Sequence, residues 1–299
     1  MQGVPAAEID EILQTAETMR HILLSGSKKT PHLQGKSIVT LFYENSTRTR
    51  MSFELASKYM SAASANIAAS ASSVAKGETL IDTGVTLDQM GTDVIIIRHP
   101  MAGAPHLLAQ HVQASVINAG DGMHEHPTQA LLDMLTMRAH LGDLRGLKVA
   151  IVGDVMHSRV ARSNIWGLGT MGAEVVLCAP PTLLPPDIAA CGARIAPTVE
   201  DAMEKADVVM ALRIQRERQQ KGLIPSISEY VTHWAVDKKR LALAKPGALV
   251  MHPGPMNRGV EISSEVADSA QSVIAEQVQG GVAVRMALLY LLTRRRAQA

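Results

Sequence analysis

Seven short apolar runs, most of them rich in β-branched residues and set among segments of helical spacing, constrain the fold of this chain more than any other feature. In the first half they are Ser37-Ile38-Val39-Thr40-Leu41-Phe42-Tyr43, Asp93-Val94-Ile95-Ile96-Ile97 and the shorter Val116-Ile117-Asn118. The second half has residues 147–154, Ala173-Glu174-Val175-Val176-Leu177, Asp207-Val208-Val209-Met210-Ala211-Leu212 and Gly247-Ala248-Leu249-Val250-Met251. Such runs lack polar alternation, as expected of strands buried on both faces in a parallel sheet. Helical spacing covers residues 8–24, the stretch from Thr49 with Met51, Leu55 and Tyr59 on one face, and Thr128 to His140. Thr198-Val199-Glu200-Asp201 has the form of a capping box ahead of a short helix. The expectation is an α/β protein of two doubly wound domains with parallel sheets, its active site in the cleft between them at the carboxyl ends of the strands. A turn with two glycines at residues 141–146 separates the two series, and no internal repeat is evident.

Composition narrows the ligand. The chain has 299 residues, enough for about two domains, and is 46% hydrophobic with only two Phe, four Tyr and two Trp, so Ala, Val, Ile, Leu and 16 Met must fill the core. A net charge of +1 gives no field that would recruit nucleic acid or a membrane surface. Cys178 and Cys191 fit neither a disulfide framework nor a zinc site, which suits a reducing cytoplasm. Glu8, Asp10, Glu11 and Glu17 near the start do not read as a secretory signal, and no apolar stretch approaches a membrane span.

Four arginines stand at or shortly after strand ends: Arg48, Arg98, Arg159 and Arg213. Together they imply a strongly anionic ligand, or two ligands. The densest group is Ser46-Thr47-Arg48-Thr49-Arg50, at a strand-to-helix junction. Helix starts attract anions through exposed N–H groups and the dipole, hydroxyls add short donors, and a guanidinium matches two phosphate oxygens. Ser46 or Thr47 could instead simply cap the helix. Two arginines in a first turn oppose the dipole, however, so an anionic partner is the simpler explanation.

Other motifs are weaker. Gly153-Asp154 ends an apolar run, but no G-x-G-x-x-G follows, and no G-x-x-x-x-G-K-[ST] occurs. His124-Glu125-His126 has a spacing that on a helix would turn the two rings apart. No cofactor or metal is called for. His126 precedes Pro127 at a helix start, where a neutral imidazole is favoured and can donate to a carbonyl.

Taken in order, Ser46-Thr47-Arg48-Thr49-Arg50, Ser72 through Lys76-Gly77-Glu78-Thr79, Arg98-His99-Pro100, His126-Pro127-Thr128-Gln129, Arg213-Ile214-Gln215-Arg216-Glu217-Arg218 and His252-Pro253-Gly254-Pro255 resemble the catalytic chains of the aspartate carbamoyltransferase family. The resemblance runs from about Glu8 to the C-terminus. It implies transfer of a carbamoyl group from carbamoyl phosphate to L-aspartate, an early step of pyrimidine synthesis. It also implies a carbamoyl-phosphate-binding domain over residues 1–135, completed by a C-terminal helix at 278–299, and an aspartate-binding domain over 136–277.

By the same resemblance, Ser46, Thr47, Arg48 and Thr49 hold the phosphate, and Arg98 reaches both phosphate and carbonyl. Thr49, Arg98 and His126 polarise the carbonyl, and Gln129 with the Pro253-Gly254-Pro255 loop takes the carbamoyl amide. Arg159, Arg213 and Gln215 bind the aspartate carboxylates. Ser72 and Lys76 serve a neighbouring subunit's site, so that sites are shared within a homotrimer, and Glu44 pairs with Arg218 on closure. Regulatory chains or a dihydroorotase-type partner are further possible associates. The chain departs from the family at Ala75, where many members carry a second lysine, and at Gly254, where others carry Leu. Ornithine carbamoyltransferases share the first motif, but they typically carry Cys where this chain has Thr128 and a His-Cys-Leu-Pro loop where it has His252-Pro253-Gly254-Pro255. A non-catalytic anion-binding protein of the same fold would leave His126, Gln129 and the later arginines unexplained.

Overall fold

The computed structural model describes residues 1–68, 77–215 and 222–298. The chain forms two compact units, one of Ala7–Leu131 with Gln279–Ala299, the other of Met1–Ala6 with Leu132–Val278.

The first unit contains helix α1 (Ala6–Leu24), strand β1 (Ser37–Phe42), α2 (Thr47–Tyr59), β2 (Ala63–Ala68), α3 (Leu80–Gln89), β3 (Val94–His99), α4 (Ala104–Ala109) and β4 (Ser115–Asp121). Its four strands are parallel in the order β2-β1-β3-β4. Val39 and Leu41 alternate with their neighbours onto the same face as Ile95 and Ile97, where they pack with Leu87 and Leu108. Each such buried side chain contributes roughly 1.5–3 kcal/mol of transfer free energy.

Helix α5 (Pro127–Leu141) carries the chain into the second unit. There follow β5 (Lys148–Gly153), α6 (Arg159–Thr170), β6 (Glu174–Cys178), β7 (Arg194–Ile195), α7 (Val199–Met203), β8 (Val208–Leu212), α8 (Ile227–Trp234), α9 (Lys238–Leu241), β9 (Leu249–Met251) and α10 (Ser264–Ala267). This sheet is also parallel, in the order β7-β6-β5-β8-β9. Its core includes Val152, Val176, Val209, Val250, Met203 and Ile262.

Helix α11 (Ile274–Gln298) returns the chain to the first unit. There its Arg285 guanidinium lies 5.0 Å from the centroid of the Phe53 ring, Tyr290 meets His32 edge-on at 5.4 Å, and Arg295 bonds Glu8 and Glu11 at 2.7 and 2.8 Å. Arg285 is 4% exposed, its Nε has no partner among the described residues, and burial pushes its pKa down to about 10.

All seven predicted strands exist, with no end moved by more than three residues. Helix α2 starts at Thr47 rather than Thr49, because Ser46 is extended and takes the N-cap position. The capping motif at Thr198 forms, its hydroxyl accepting from Asp201 N–H and donating to the Asp201 carboxylate at 2.6 Å. Segment 124–126 is not helical: Glu125 bridges back to Asp121, and α5 begins only at Pro127.

Candidate active site

In each unit the singled-out residues follow three adjacent strands at their carboxyl ends. In the first, α2 follows β1, Arg98 lies at the end of β3, and His126 follows β4. Register places Arg98 opposite Phe42, and Tyr43 N–H donates to the Arg98 carbonyl at 2.9 Å, so Arg98 sits beside the chain entering the Ser46 turn.

The first intrahelical bond of α2 runs from Arg50 N–H to the Ser46 carbonyl at 3.2 Å, so earlier N–H groups point out of the helix start. Ser46 occupies the N-cap with extended backbone, yet its hydroxyl makes no capping bond. At six other helix starts the N-cap side chain, Thr79, Ser158, Thr198, Ser226, Asp237 or Ser263, accepts from its own first turn. Acidic residues complement the dipole in the first turns of α1, α3, α7, α8, α10 and α11, but not in those of α2, α4, α5, α6 and α9. The sequence left open whether Ser46 caps; it does not. Arg50, counted at first among the phosphate donors, stacks its guanidinium 5.4 Å from the Phe42 ring centroid.

Arg98 donates through Nε to Glu44 at 3.2 Å, which holds its fork at the strand ends. The expected Glu44 partner, Arg218, lies outside the described residues, as do Ser72, Ala75, Lys76 and Arg216. His126 is 5% exposed, just ahead of α5, and its carbonyl accepts from Gln129 N–H at 2.9 Å. Gln129 stands in the first turn of that helix. Thr49 is buried on the inner face of α2.

In the second unit Arg159 opens α6 after β5, Arg213 follows β8, and Pro253-Gly254-Pro255 follows β9. These strands are neighbours, and Asp154 ties two of their loops together. Fully buried Asp154 accepts from Gln215 N–H at 3.2 Å and from His157 N–H at 3.2 Å, with His157 Nδ1 at 2.9 Å. Gln215 in turn donates from Nε2 to the His157 carbonyl at 2.9 Å. The Gly153-Asp154 pair that suggested a dinucleotide turn thus has another cause. At Gly153, with φ +128°, a Cβ would come within 2.7 Å of the Leu212 carbonyl, and Asp154 organises the loops. Sequence reasoning missed Asp154 and His157, although an acid directly after a buried strand was a usable signal.

Arg159 is buried, 5% exposed. Gly254 has φ +61°, a left-handed backbone that glycine adopts without the penalty of about 1–2 kcal/mol other residues meet. No group of His, Cys, Asp and Glu among the described residues could hold a metal ion, and no described helix is long and apolar enough to cross a membrane.

Two parallel α/β units with basic strand ends define a protein that handles anionic small molecules, and comparison with known proteins gives its family. Residues 1–139 match the aspartate/ornithine carbamoyltransferase carbamoyl-P binding domain and residues 145–292 its Asp/Orn binding domain, so the chain belongs to the aspartate/ornithine carbamoyltransferase family. It is 68% identical over 295 residues to the aspartate carbamoyltransferase catalytic subunit of Ruminiclostridium cellulolyticum, covering 99% of this chain and 94% of the relative. Among solved structures it resembles the aspartate transcarbamoylase of Trypanosoma cruzi in complex with carbamoyl phosphate and aspartate, with TM-score 0.85, 32% identity and coverage of 97% and 94%. The ornithine carbamoyltransferase of Pyrococcus furiosus superposes equally well, with TM-score 0.86, 29% identity and coverage of 96% and 94%. Backbone shape therefore does not separate the two amine substrates.

Proposed function

We infer that the chain transfers the carbamoyl group of carbamoyl phosphate to the amine of L-aspartate, giving N-carbamoyl-L-aspartate and phosphate. The observation that carries this is the near full-length identity to aspartate carbamoyltransferase catalytic subunits, which separates it from ornithine transfer where the fold cannot.

Each role that the resemblance implies makes chemical sense where it falls. Ser46, Thr47, Arg48 and Thr49 hold the phosphate at the start of α2, and the Ser46 hydroxyl, unused as a cap, is a donor for a phosphate oxygen. Thr49, Arg98 and His126 face the carbonyl oxygen, where negative charge builds as the amine attacks; donors fixed beforehand stabilise that charge more than the ground state. Gln129 and the Pro253 and Gly254 carbonyls take the amide protons, which distinguishes a carbamoyl group from a bare phosphate. Arg159, Arg213 and Gln215 hold the aspartate carboxylates. Ornithine would bring an ammonium where Arg213 offers the same sign of charge. The departing phosphate accepts the amine proton, so no separate general base is required.

Purified protein supplied with carbamoyl phosphate and either aspartate or ornithine decides the amine substrate; product with ornithine alone, or with neither, overturns this reading. The wider setting is de novo pyrimidine synthesis in the cytoplasm by a homotrimer that shares its sites through Ser72 and Lys76, with regulatory chains or a dihydroorotase-type partner as candidate associates. Mixing inactive Lys76→Ala chains with inactive Arg48→Ala chains should restore activity if sites are shared, and no recovery in verified mixed trimers would refute sharing.

A further inference from the structure

The Pro253-Gly254 tip is held from behind by a buried polar chain that no substrate-binding role explains. Gly254 N–H donates to His252 Nδ1 at 2.7 Å, so that nitrogen is the acceptor and the neutral ring carries its proton on Nε2. Nε2 faces Glu261 Oε1 at 3.1 Å, and Asn257 N–H donates to the same oxygen at 2.5 Å. His252 N–H donates to Gln277 Oε1 at 2.9 Å, Gln277 Nε2 to Asp133 Oδ1 at 2.7 Å, and Asn164 Nδ2 to Asp133 Oδ2 at 2.8 Å. Asp133 is fully buried and Glu261 is 1% exposed, while Glu261 Oε2 has no partner among the described residues.

A buried carboxylate is costly unless its bonds do something, and here both donors to Oε1 come from the ends of one loop. Glu261 fixes the ring of His252 in one tautomer and one orientation, and the ring fixes the peptide between Pro253 and Gly254. We propose that Glu261, acting through His252, is a positioning residue that sets the direction of the Pro253 and Gly254 carbonyls toward the carbamoyl amide of the substrate. This rests on the role given to those carbonyls under Proposed function.

The test is steady-state kinetics with each substrate varied in turn, beside thermal melts, for the wild type and for Glu261→Ala, Glu261→Gln and His252→Gln. A carbonyl displaced by even 1 Å weakens its contact, so Glu261→Ala and His252→Gln should each raise KM for carbamoyl phosphate about 10-fold while moving KM for aspartate less than about 2-fold. Glu261→Gln keeps an oxygen acceptor for both donors and should recover to within about 3-fold of wild type. The double variant should be no worse than either single one, because both break one linkage. A merely structural role would lower the melting temperature and the active fraction but leave both KM values unchanged in the folded protein, and that result overturns the proposal. If Glu261→Ala does not fold, His252→Gln and Glu261→Gln decide it on the same criterion. A wild type inactive with aspartate would instead bring down the functional reading itself, and this inference with it.

Discussion

Helices α2 and α6 each start on a serine N-cap with an arginine and no acid in the first turn, yet only Ser158 turns its hydroxyl onto its own backbone. Their interiors differ as well. Beneath α2, Phe53 carries the buried guanidinium of Arg285, whereas α6 sends Asn164 to the buried carboxylate of Asp133. Helix α6 thus has its start capped by its own serine and carries the buried Arg159 in its first turn. Helix α2 has a start with no side-chain cap, where exposed N–H groups and the dipole suit an anion. Two helices that share a serine N-cap and an acid-free first turn thus differ in how that serine is used.

The sharpest way to break this contrast is to remove each arginine. Arg48→Ala should lower kcat/KM for carbamoyl phosphate by about 10²–10³-fold, whereas Arg159→Ala should act mainly on the KM for aspartate. Equal loss of inhibition by inorganic phosphate in both variants would erase the distinction. Next in size, Arg285→Met should raise stability to denaturant by about 1–2 kcal/mol, since a buried guanidinium with no ion pair among the described residues is replaced by an apolar chain of similar volume. A loss of stability would show that the Phe53 contact outweighs desolvation.

The caps themselves come third. Ser158→Ala should cost about 1 kcal/mol in the absence of ligand, and Ser46→Ala only a few tenths, because no capping bond is lost. Added phosphate should raise the melting temperatures of the wild type and of Ser158→Ala alike, and that of Ser46→Ala by less. The smallest effect concerns His99, whose ring packs 4.6 Å from Tyr43 and whose pKa burial lowers below its ordinary 6.5. As pH falls below 6.5 the unfolded chain takes up a proton there before the folded one, so stability declines through that window and levels off beneath the folded pKa. His99→Gln should flatten that slope in melts across pH, and an unchanged slope would assign it elsewhere.

The sequence exposed those strands whose runs are β-branched and the arginines that end them, because both signals are local. It did not expose β2, whose Ala-Ser-Ala-Asn-Ile-Ala run lacks bulk, or the two-residue edge strand β7. Helix α3 was obscured by Gly84, present because a Cβ there would lie 2.1 Å from Leu108 Cδ1. The same limit applies to the site. Arg98 and His126 could be placed from their neighbours in sequence, but the Asp154 and Glu261 roles depend on partners brought up from other strands and helices. Whether Ser46 caps its helix is a matter of one side-chain torsion.

The return of α11 to the first unit sets a timetable for biosynthesis. Residues Ala7–Leu131 emerge early, but Gln279–Ala299, which complete their unit, are added only after about 150 further residues, roughly 7–30 s later at 5–20 residues/s. Until then the surface that receives Ala283, Met286, Ala287 and Leu289 has no cover. The nascent chain therefore carries an apolar face through about half of its synthesis. Its yield in a cell should depend on chaperone capacity more than the stability of the finished protein would suggest.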